Sequence, residues 1–298
     1  MSAPIRGERD HENLQLDLDR IQGWSRKWLL HFNAKKCKVL HMGHHNKKYE
    51  YHMKSGDGIH TLEETQCEKD LGVHIDPSLH FSIHCQKAAN KANGILGLIR
   101  RSFKFLDAEM LKQLYKGLIR PHLEYANVVW SPQYAKDATL LENVQRRATK
   151  MVPEIKNLEY EDRLKALRLP SLLYRRRRGD LIEVYKYKQE IYNVKSEGLL
   201  PPSKYDRTRG HTYKLEKQSC RLDLRKKFFS LRVHTVWNQL PKEVAEAPSL
   251  NSFKSRLDKY IWDLQYCVKY PLPVGGVTTG ETRRESDETG SNDNADPE

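Results

Sequence analysis

The stretch that decides the fold begins at Ala88 and reads AANKANGILGLIRRSF. Apolar residues recur in it every three or four positions, at Ala88, Ala92, Ile95, Ile99 and Phe103. This is the spacing of residues that share one face of an α-helix. The stretch therefore predicts an amphipathic helix whose apolar face is covered by neighbouring elements.

The helical spacing continues downstream of this stretch. Asp107 stands where a helix cap is expected, before a second helix that is predicted to end at Pro121. Asp137 opens a third predicted helix. The outer face of this third helix carries the basic residues Arg146, Arg147 and Lys150. Residues 78–152 are therefore predicted to form a compact helical bundle.

A different pattern precedes the bundle. Helical spacing runs from Asp10 to about Phe32, and residues 33–77 then show short alternating runs and turn residues, among them Gly56-Asp57-Gly58. A strand with Leu71, Val73 and Ile75 is expected, with Gly72 marking a bulge or a close backbone approach. The pattern thus predicts a flexible N-terminus over residues 1–13. A helix and a small antiparallel β segment are predicted over residues 14–77.

Helical spacing returns after the bundle. Ser171 is placed to cap a helix that runs to about Ile191, and residues 193–221 resemble a loop. Residues 153–270 are predicted to form a basic helical region. From Pro271 on, Gly, Thr, Ser and acidic residues predict a disordered acidic tail over 271–298. The fold class expected for the whole chain is α+β, predominantly helical.

The charge of the chain is one-sided. Its 298 residues hold 52 Lys and Arg against 39 Asp and Glu, a net charge of +13. The last eighteen residues contain seven acids and two arginines, so the rest of the chain carries +18. Such a surplus favours phosphate backbones or anionic surfaces as partners.

Two classes of protein are disfavoured by composition. No stretch approaches the roughly 18 apolar residues that a membrane span needs, and the first twenty residues lack the apolar core of a secretory signal. Five cysteines at irregular spacing argue for reduced thiols rather than a disulfide framework. A cytoplasmic or nuclear protein that does not use a membrane is expected.

The four consecutive arginines Arg175, Arg176, Arg177 and Arg178 fall within the helix that follows Ser171. Successive helical residues turn by about 100°, so the four cannot share one exposed face. They contact phosphates, or they pair internally, with Asp162, Asp180 and Glu183 as candidates. For Arg146, Arg147 and Lys150 the alternatives are phosphate contact and a solvated face.

Other features have plain interpretations. Trp24 and Trp28 lie one turn apart and are expected in a core rather than as a base-stacking platform, as are Trp130, Trp237 and Trp262. Gly94 and Gly97 are expected at a close helix contact. Surface or packing roles, rather than a zinc site, are expected for a set of histidines and one cysteine: His41, His44, His45, His52, His80, His84 and Cys85.

Several short motifs occur in a fixed order along the chain. They are Leu-Asp-x-x-x-x-Trp at Leu18–Trp24, Phe-Asn-x-x-Lys-Cys at Phe32–Cys37, Lys-Asp-Leu-Gly-Val at Lys69–Val73, Leu-Tyr-Lys at Leu114–Lys116 and Arg-Pro-His-Leu-Glu-Tyr-Ala…Val-Trp-x-Pro at Arg120–Pro132. Together they resemble the downstream half of reverse transcriptases from non-LTR retrotransposons (LINEs) of the jockey and chicken-repeat kind. The resemblance covers about residues 14–264.

The resemblance implies a role for each part of the chain. Residues 14–77 would be the end of a palm, with Asn33 and Lys36 near the nucleotide phosphates. Leu71, Gly72 and Val73 would resemble the turn that grips the primer. Residues 78–152 would be a thumb against the template-primer duplex, and 153–270 the post-thumb region.

One departure from the family decides the chemistry. In these enzymes an aromatic-Ala-Asp-Asp strand precedes the helix at Leu14, whereas this sequence contains no Asp-Asp pair. Transfer by two metal ions needs carboxylates that hold both ions, and the spacing of scattered acids such as Asp17, Asp19, Asp70 and Asp76 does not suggest convergence. No catalytic residue, metal ligand or cofactor is therefore expected, and Mg²⁺ would act only with an upstream palm half.

The sequence thus predicts a truncated RNA-directed DNA polymerase that is not catalytic alone. It would retain binding to RNA, an RNA/DNA hybrid or a DNA backbone, through Arg146, Arg147, Lys150 and Arg175 to Arg178, and an upstream polymerase half is a possible partner. Two alternatives stay open. The chain is a domesticated protein-interaction module, or it is a non-functional relic of a mobile element.

Overall fold

The computed structural model describes residues 1–43, 45–55, 58–204 and 210–269. His44, the expected turn at Gly56-Asp57 and the acidic tail 271–298 lie outside these ranges. Within them the chain is α+β and predominantly helical, which confirms the fold class predicted from the sequence.

The first helix is shorter than its spacing predicts. Helix α1 spans Glu8–Lys27, and Leu29 beyond it has a positive φ of 56°, which turns the chain away from the helix axis before Phe32. A short 3₁₀ turn, Ala34–Lys36, follows. The strands of this part are β1 (Lys38–Val39), β2 (His52–Ser55), β3 (Gly58–Thr61), β4 (Glu63–Glu64), β5 (Glu68–Asp70) and β6 (Val73–Ile75).

The strands form three separate pairs. Strands β2 and β3 form an antiparallel hairpin, as do β5 and β6. Strands β1 and β4 are parallel, with Lys38 opposite Glu63. Two of the three pairs are thus antiparallel, as predicted. The β1–β4 pair is parallel because the β2–β3 hairpin lies within the connection from β1 to β4 and lets β4 return in the same direction.

Helix α1 packs on this β segment through both apolar and amide side chains. Leu14 and Leu18 pack against a small core of Ala34, Tyr51, Met53 and Leu62. On the same helix, the side chains of Gln15 and Gln22 each exchange two hydrogen bonds with the β2 backbone. The amide groups thereby satisfy an edge strand that would otherwise expose unpaired backbone groups.

The predicted helical bundle is present. Its helices are α2 (Ser82–Ser102), α3 (Ala108–Leu114), α4 (Arg120–Glu124), α5 (Asn127–Trp130), α6 (Ala135–Thr149) and α7 (Tyr160–Leu167). The Asp107 carboxylate caps α3 by accepting a hydrogen bond from the Met110 N–H at 2.7 Å. A π-helical turn, Tyr115–Ile119, joins α3 to α4, so Pro121 lies in a first helical turn rather than ending a helix.

The core of the bundle extends beyond its predicted boundary. Helix α2 buries Cys85, Ala89, Ala92, Leu96 and Ile99. The same core continues through α7 to a series of leucines after residue 152: Leu164, Leu167, Leu169 and Leu172. Residues up to 172 therefore belong to the core of the bundle.

A second core follows. It is built on α8 (Leu172–Lys188), which Ser171 caps by accepting a hydrogen bond from the Tyr174 N–H, as predicted. The remaining helices are α9 (Asp223–Lys226), α10 (Phe229–Arg232), α11 (His234–Asn238), α12 (Lys242–Ala245) and α13 (Leu250–Tyr260). At its centre, the ring of Phe253 stacks on Tyr185 and packs against Trp237.

The tryptophans divide between core and surface. Trp130 and Trp237 are fully buried, which confirms the expectation for them. The expectation of a core position was wrong for Trp24, Trp28 and Trp262, since about half or more of each residue is exposed. The described part of the chain places no core element against the face of α1 that carries Trp24 and Trp28.

Candidate nucleic-acid interface

A basic groove lies between the C-terminal ends of α2 and α6. It has a volume of about 790 Å³. Four exposed cationic side chains line it, Arg100 and Lys104 on one side and Arg147 and Lys150 on the other. Among the described residues that line this α2–α6 groove, none is acidic.

The positions of these cations follow from local structure. Arg100 lies in the last turn of α2 and Arg147 in the last turn of α6, where the helix dipole favours positive charge. The buried face of α2 is largely apolar and that of α6 is mixed, and the basic residues of both helices lie on their exposed faces. Arg147 also donates a hydrogen bond to the Asn93 side chain of α2 at 2.8 Å, so the two walls of the groove are tied together.

The groove brings together only two of the three basic residues that were grouped on α6. Arg147 and Lys150 line it together, whereas Arg146 lies on the other side of the helix, with its guanidinium 4.7 Å from the centre of the Tyr160 ring. Sequence reasoning missed Arg100 and Lys104. The available signal was the basic run that begins at Arg100-Arg101 and ends at Lys104, directly after the apolar stripe of α2.

Two of the four consecutive arginines form ion pairs within the protein. Arg175 binds the Glu124 carboxylate through two nitrogens, and Arg178 binds Asp258 in the same way. These placements favour internal pairing over phosphate contact. None of the three acids considered in the sequence is the partner of Arg175 or Arg178, since Asp162 pairs with Lys165, Asp180 with Arg232 and Glu183 with Lys186.

The other two arginines lie at the junction of the two cores. Arg176 is buried, with 4% of its surface exposed, and Arg177 is half-buried. Burial raises the pKa of Glu142 and of Asp180, and the charge of Arg176 acts on both in the opposite direction. These arginines are separate from the α2–α6 groove.

Asn33 and Lys36, expected near nucleotide phosphates, flank the 3₁₀ turn after α1. Asn33 precedes the turn and Lys36 ends it, and both are exposed. Close by in the sequence, a group of apolar side chains at the end of α1 is also exposed: Trp24, Trp28, Leu29, Leu30 and Phe32. The two polar residues are thus accessible, and they follow an exposed apolar stretch of the chain.

Leu71 and Gly72 form the turn of the β5–β6 hairpin, where a strand residue and a bulge or close approach were expected. Both have positive φ, 44° and 90°, as a two-residue type I′ turn requires. A Cβ atom at Gly72 would lie 3.0 Å from the Tyr125 ring, whose hydroxyl donates a hydrogen bond to the Leu71 carbonyl. Val73 is buried, while Leu71 is 86% exposed at the tip.

Two of the acids considered as magnesium ligands have partners close to them in the sequence. Asp17 pairs with Arg20, and Asp76 accepts hydrogen bonds from Ser78. Over the described ranges, no group of three or more His, Cys, Asp or Glu side chains is arranged to hold a metal ion. The described residues therefore do not fit the carboxylate set that two-metal transfer needs.

No helix within the described ranges is both long and apolar enough to cross a membrane.

Comparisons with known proteins give little information about function. The chain matches no known protein family, and no solved structure matches it. A segment of 110 residues is 26% identical to an uncharacterized protein of Caenorhabditis elegans. The match covers 36% of this chain and 56% of that protein. The chain thus spans little more than half the length of that relative. Because the relative is uncharacterized, the match assigns no activity.

Proposed function

We propose that this chain binds the backbone of an RNA or RNA/DNA duplex through the α2–α6 groove, as the thumb half of a non-LTR retrotransposon reverse transcriptase. The observation that carries the proposal is the set of four cations, Arg100, Lys104, Arg147 and Lys150, in a groove without an acidic lining residue among those described. The order of the sequence motifs supports the same role. The proposal concerns binding, since no group of carboxylates among the described residues is arranged to hold metal ions.

Binding of this kind is expected to be largely independent of sequence. Lys and Arg side chains contact phosphates, which carry no base information. The floor of the groove is apolar, with Leu96, Leu106 and Met151 among its residues. The groove residues described thus provide positive charge for the phosphate backbone. They do not provide a set of hydrogen-bond donors and acceptors that would distinguish base edges.

The test is the affinity of the full chain for a labelled RNA/DNA primer-template across a salt series, with double-stranded DNA as competitor. Each phosphate contact contributes roughly 0.9 to the slope of log affinity against log salt. We expect the double variant Arg147→Gln/Lys150→Gln to bind more weakly. Its slope should be smaller in magnitude by close to two such contributions. The matched control is Lys91→Gln/Lys116→Gln, which removes two exposed cations outside the groove lining. Equal slopes for the two double variants would contradict the proposal.

A second candidate function is protein interaction. The observation that favours it is the exposed apolar group at the end of α1, where Trp28 is 60% and Leu29 78% exposed. Contiguous exposed apolar patches are typical of protein interaction sites. An upstream polymerase half supplied as a separate chain is the partner to test. Trp24→Ser/Trp28→Ser should abolish its co-purification and leave duplex affinity unchanged, whereas undiminished co-purification would reject this candidate.

A further inference from the structure

The loop between α2 and α3, residues 103–107, carries two exposed phenylalanine rings beside the α2–α6 groove. Phe103 lines the groove and is 39% exposed. Phe105 is 89% exposed, the highest fraction for a large apolar residue in the described ranges. An exposed phenylalanine ring forfeits the free energy that its burial would contribute. Both rings of this α2–α3 loop are therefore accessible to a ligand, and one of them borders the groove.

Local structure anchors the α2–α3 loop at both ends. Phe103 is the residue at which α2 ends in an extended backbone, with φ −118° and ψ 116°, and its N–H donates to the Ile99 carbonyl at 3.0 Å. At the other end the Asp107 carboxylate caps α3, and Leu106 is a buried residue of the groove floor. Phe105 lies between these anchors. A ring that is already held in place pays a smaller entropic cost when a ligand binds.

The charge around the α2–α3 loop differs between its two ends. On the groove side, Phe103 is followed by Lys104, one of the four cations that line the groove. On the α3 side, Asp107 and Glu109 are acidic, and Glu109 pairs with Lys112 at 2.5 Å. A phosphate is therefore attracted to the groove and not to the start of α3. The Phe105 ring between the two ends suits an uncharged, flat group.

A nucleotide combines the two chemical groups that these surroundings accept. Its phosphate is an anion, and its base is an uncharged ring with two flat faces. Unpaired bases stack on aromatic side chains with little dependence on sequence. In the interior of a duplex, both faces of each base are already covered by neighbouring bases. The α2–α3 loop is therefore suited to a base that lies beyond the paired region.

We propose that the α2–α3 loop binds an unpaired base of a strand whose phosphates lie in the α2–α6 groove. Phe105 is the ring that stacks on the base, and Phe103 is the apolar contact at the edge of the groove. The inference rests on the function proposed for the groove. It narrows the substrate class from a duplex to a junction between a duplex and a single strand.

The test compares two RNA/DNA hybrids that carry a short single-stranded overhang, one with bases and one with abasic sugar-phosphates. Both overhangs have the same phosphates, so a difference in affinity reports the bases alone. The full chain should bind the base-bearing overhang at least about fivefold more tightly, as expected for stacking of one base. Phe105→Ala and Phe105→Leu should lose this preference, and Phe105→Trp, which keeps a ring, should retain it. Trp262→Ala, which removes an exposed ring outside the groove lining, is the matched control.

A 2-aminopurine at the first unpaired position gives a direct readout, because stacking quenches its fluorescence. We expect quenching by the parent chain and not by Phe105→Ala, with thermal unfolding to establish that each variant is folded. Equal binding of the two overhangs by the parent chain, or an undiminished preference in Phe105→Ala, overturns the inference. If Arg147→Gln/Lys150→Gln still weakens binding of both hybrids, the function proposed for the groove stands without it. Binding of neither hybrid through the groove rejects both proposals.

Discussion

At the scale of single residues, neighbours in the sequence have different surroundings. Arg175 pairs with Glu124, 51 residues away, and Arg178 with Asp258, 80 residues away. The helical period shows that the four arginines cannot share a face. It cannot show which carboxylates meet them, because those carboxylates are brought close only by packing of distant helices.

His84 gives a prediction about pH. Its ring packs on Trp130 and its Nδ1 accepts a hydrogen bond from the His74 N–H at 3.1 Å. Burial lowers the pKa of His84 to about 4, and the nearby His74 adds to the effect. The folded state therefore takes up its proton at lower pH than the unfolded state, where the pKa is near 6.5. This contribution to stability is present above pH 6.5 and is lost as the pH falls toward 4.

The contribution of His84 to the free energy of unfolding is expected to fall by up to about 3 kcal/mol between pH 6.5 and pH 4. His84→Gln keeps an acceptor for the His74 N–H but does not titrate. Urea unfolding at several pH values should show a flatter dependence between pH 6.5 and 4 for this variant than for the parent chain. His45→Gln, which replaces an exposed histidine, is the control. Parallel curves for the parent chain and His84→Gln would show that His84 is not the titrating group.

Leu71 gives a prediction about backbone strain. Its φ of 44° is costly for a leucine, whereas Asn tolerates this region. Because the Leu71 side chain is 86% exposed, its removal loses little packing. We expect Leu71→Asn to stabilise the chain by about 0.5–1 kcal/mol in urea unfolding. Leu98→Asn, at an exposed position in α2, should instead destabilise it; a loss of stability in both would contradict the strain argument.

At the scale of elements, the pattern in α2 predicted the helix but not all of its contacts. Ala88, Ala92 and Ile99 lie on the buried side, whereas Phe103 is exposed after the helix ends. A Cβ atom added to Gly94 would have no neighbour within 4 Å, so the expected close helix contact does not exist there. A repeat of apolar residues specifies a face of a helix, and the partner's shape decides which small residues are needed.

The packing of α2 against α6 gives a matched pair of variants. Ala92 is fully buried, so Ala92→Leu overpacks the contact and should cost about 1–3 kcal/mol of unfolding free energy. Gly94→Ala in the same helix meets open space and should stabilise by roughly 0.5–1 kcal/mol, because alanine favours the helix. Thermal or urea unfolding measures both. We expect the two variants to change the free energy of unfolding in opposite directions. Destabilisation by Gly94→Ala would instead show that the face of α2 that carries Gly94 is covered.

At the scale of the whole molecule, two helical cores meet along α8. Leu172 at its start belongs to the first core, and Leu181 and Val184 belong to the second. The segment after α13 returns to this junction, where the Ser171 hydroxyl donates to the Cys267 carbonyl at 2.8 Å. The α2–α6 groove belongs to the first core alone.

The sequence of the acidic tail gives a prediction for the whole chain. Its seven acids within eighteen residues can compete with phosphate for the basic surface. Truncation at Pro271 should therefore tighten duplex binding at low salt, and the difference should shrink at high salt as charges are screened. Replacing the tail's acids by their amides, at full length, is the control for chain length. Unchanged affinity after truncation would exclude this competition.

The sequence alone determined the helical class, the caps at Asp107 and Ser171, and the basic surplus. These properties depend on near neighbours along the chain, on the helical period, or on counts of residue types. Only the tertiary structure decided that Arg100 joins Arg147 in one groove while Arg146 turns away, and that Arg178 is held by Asp258. A site is made by residues from separate elements, and its geometry is set by the packing that brings those elements together.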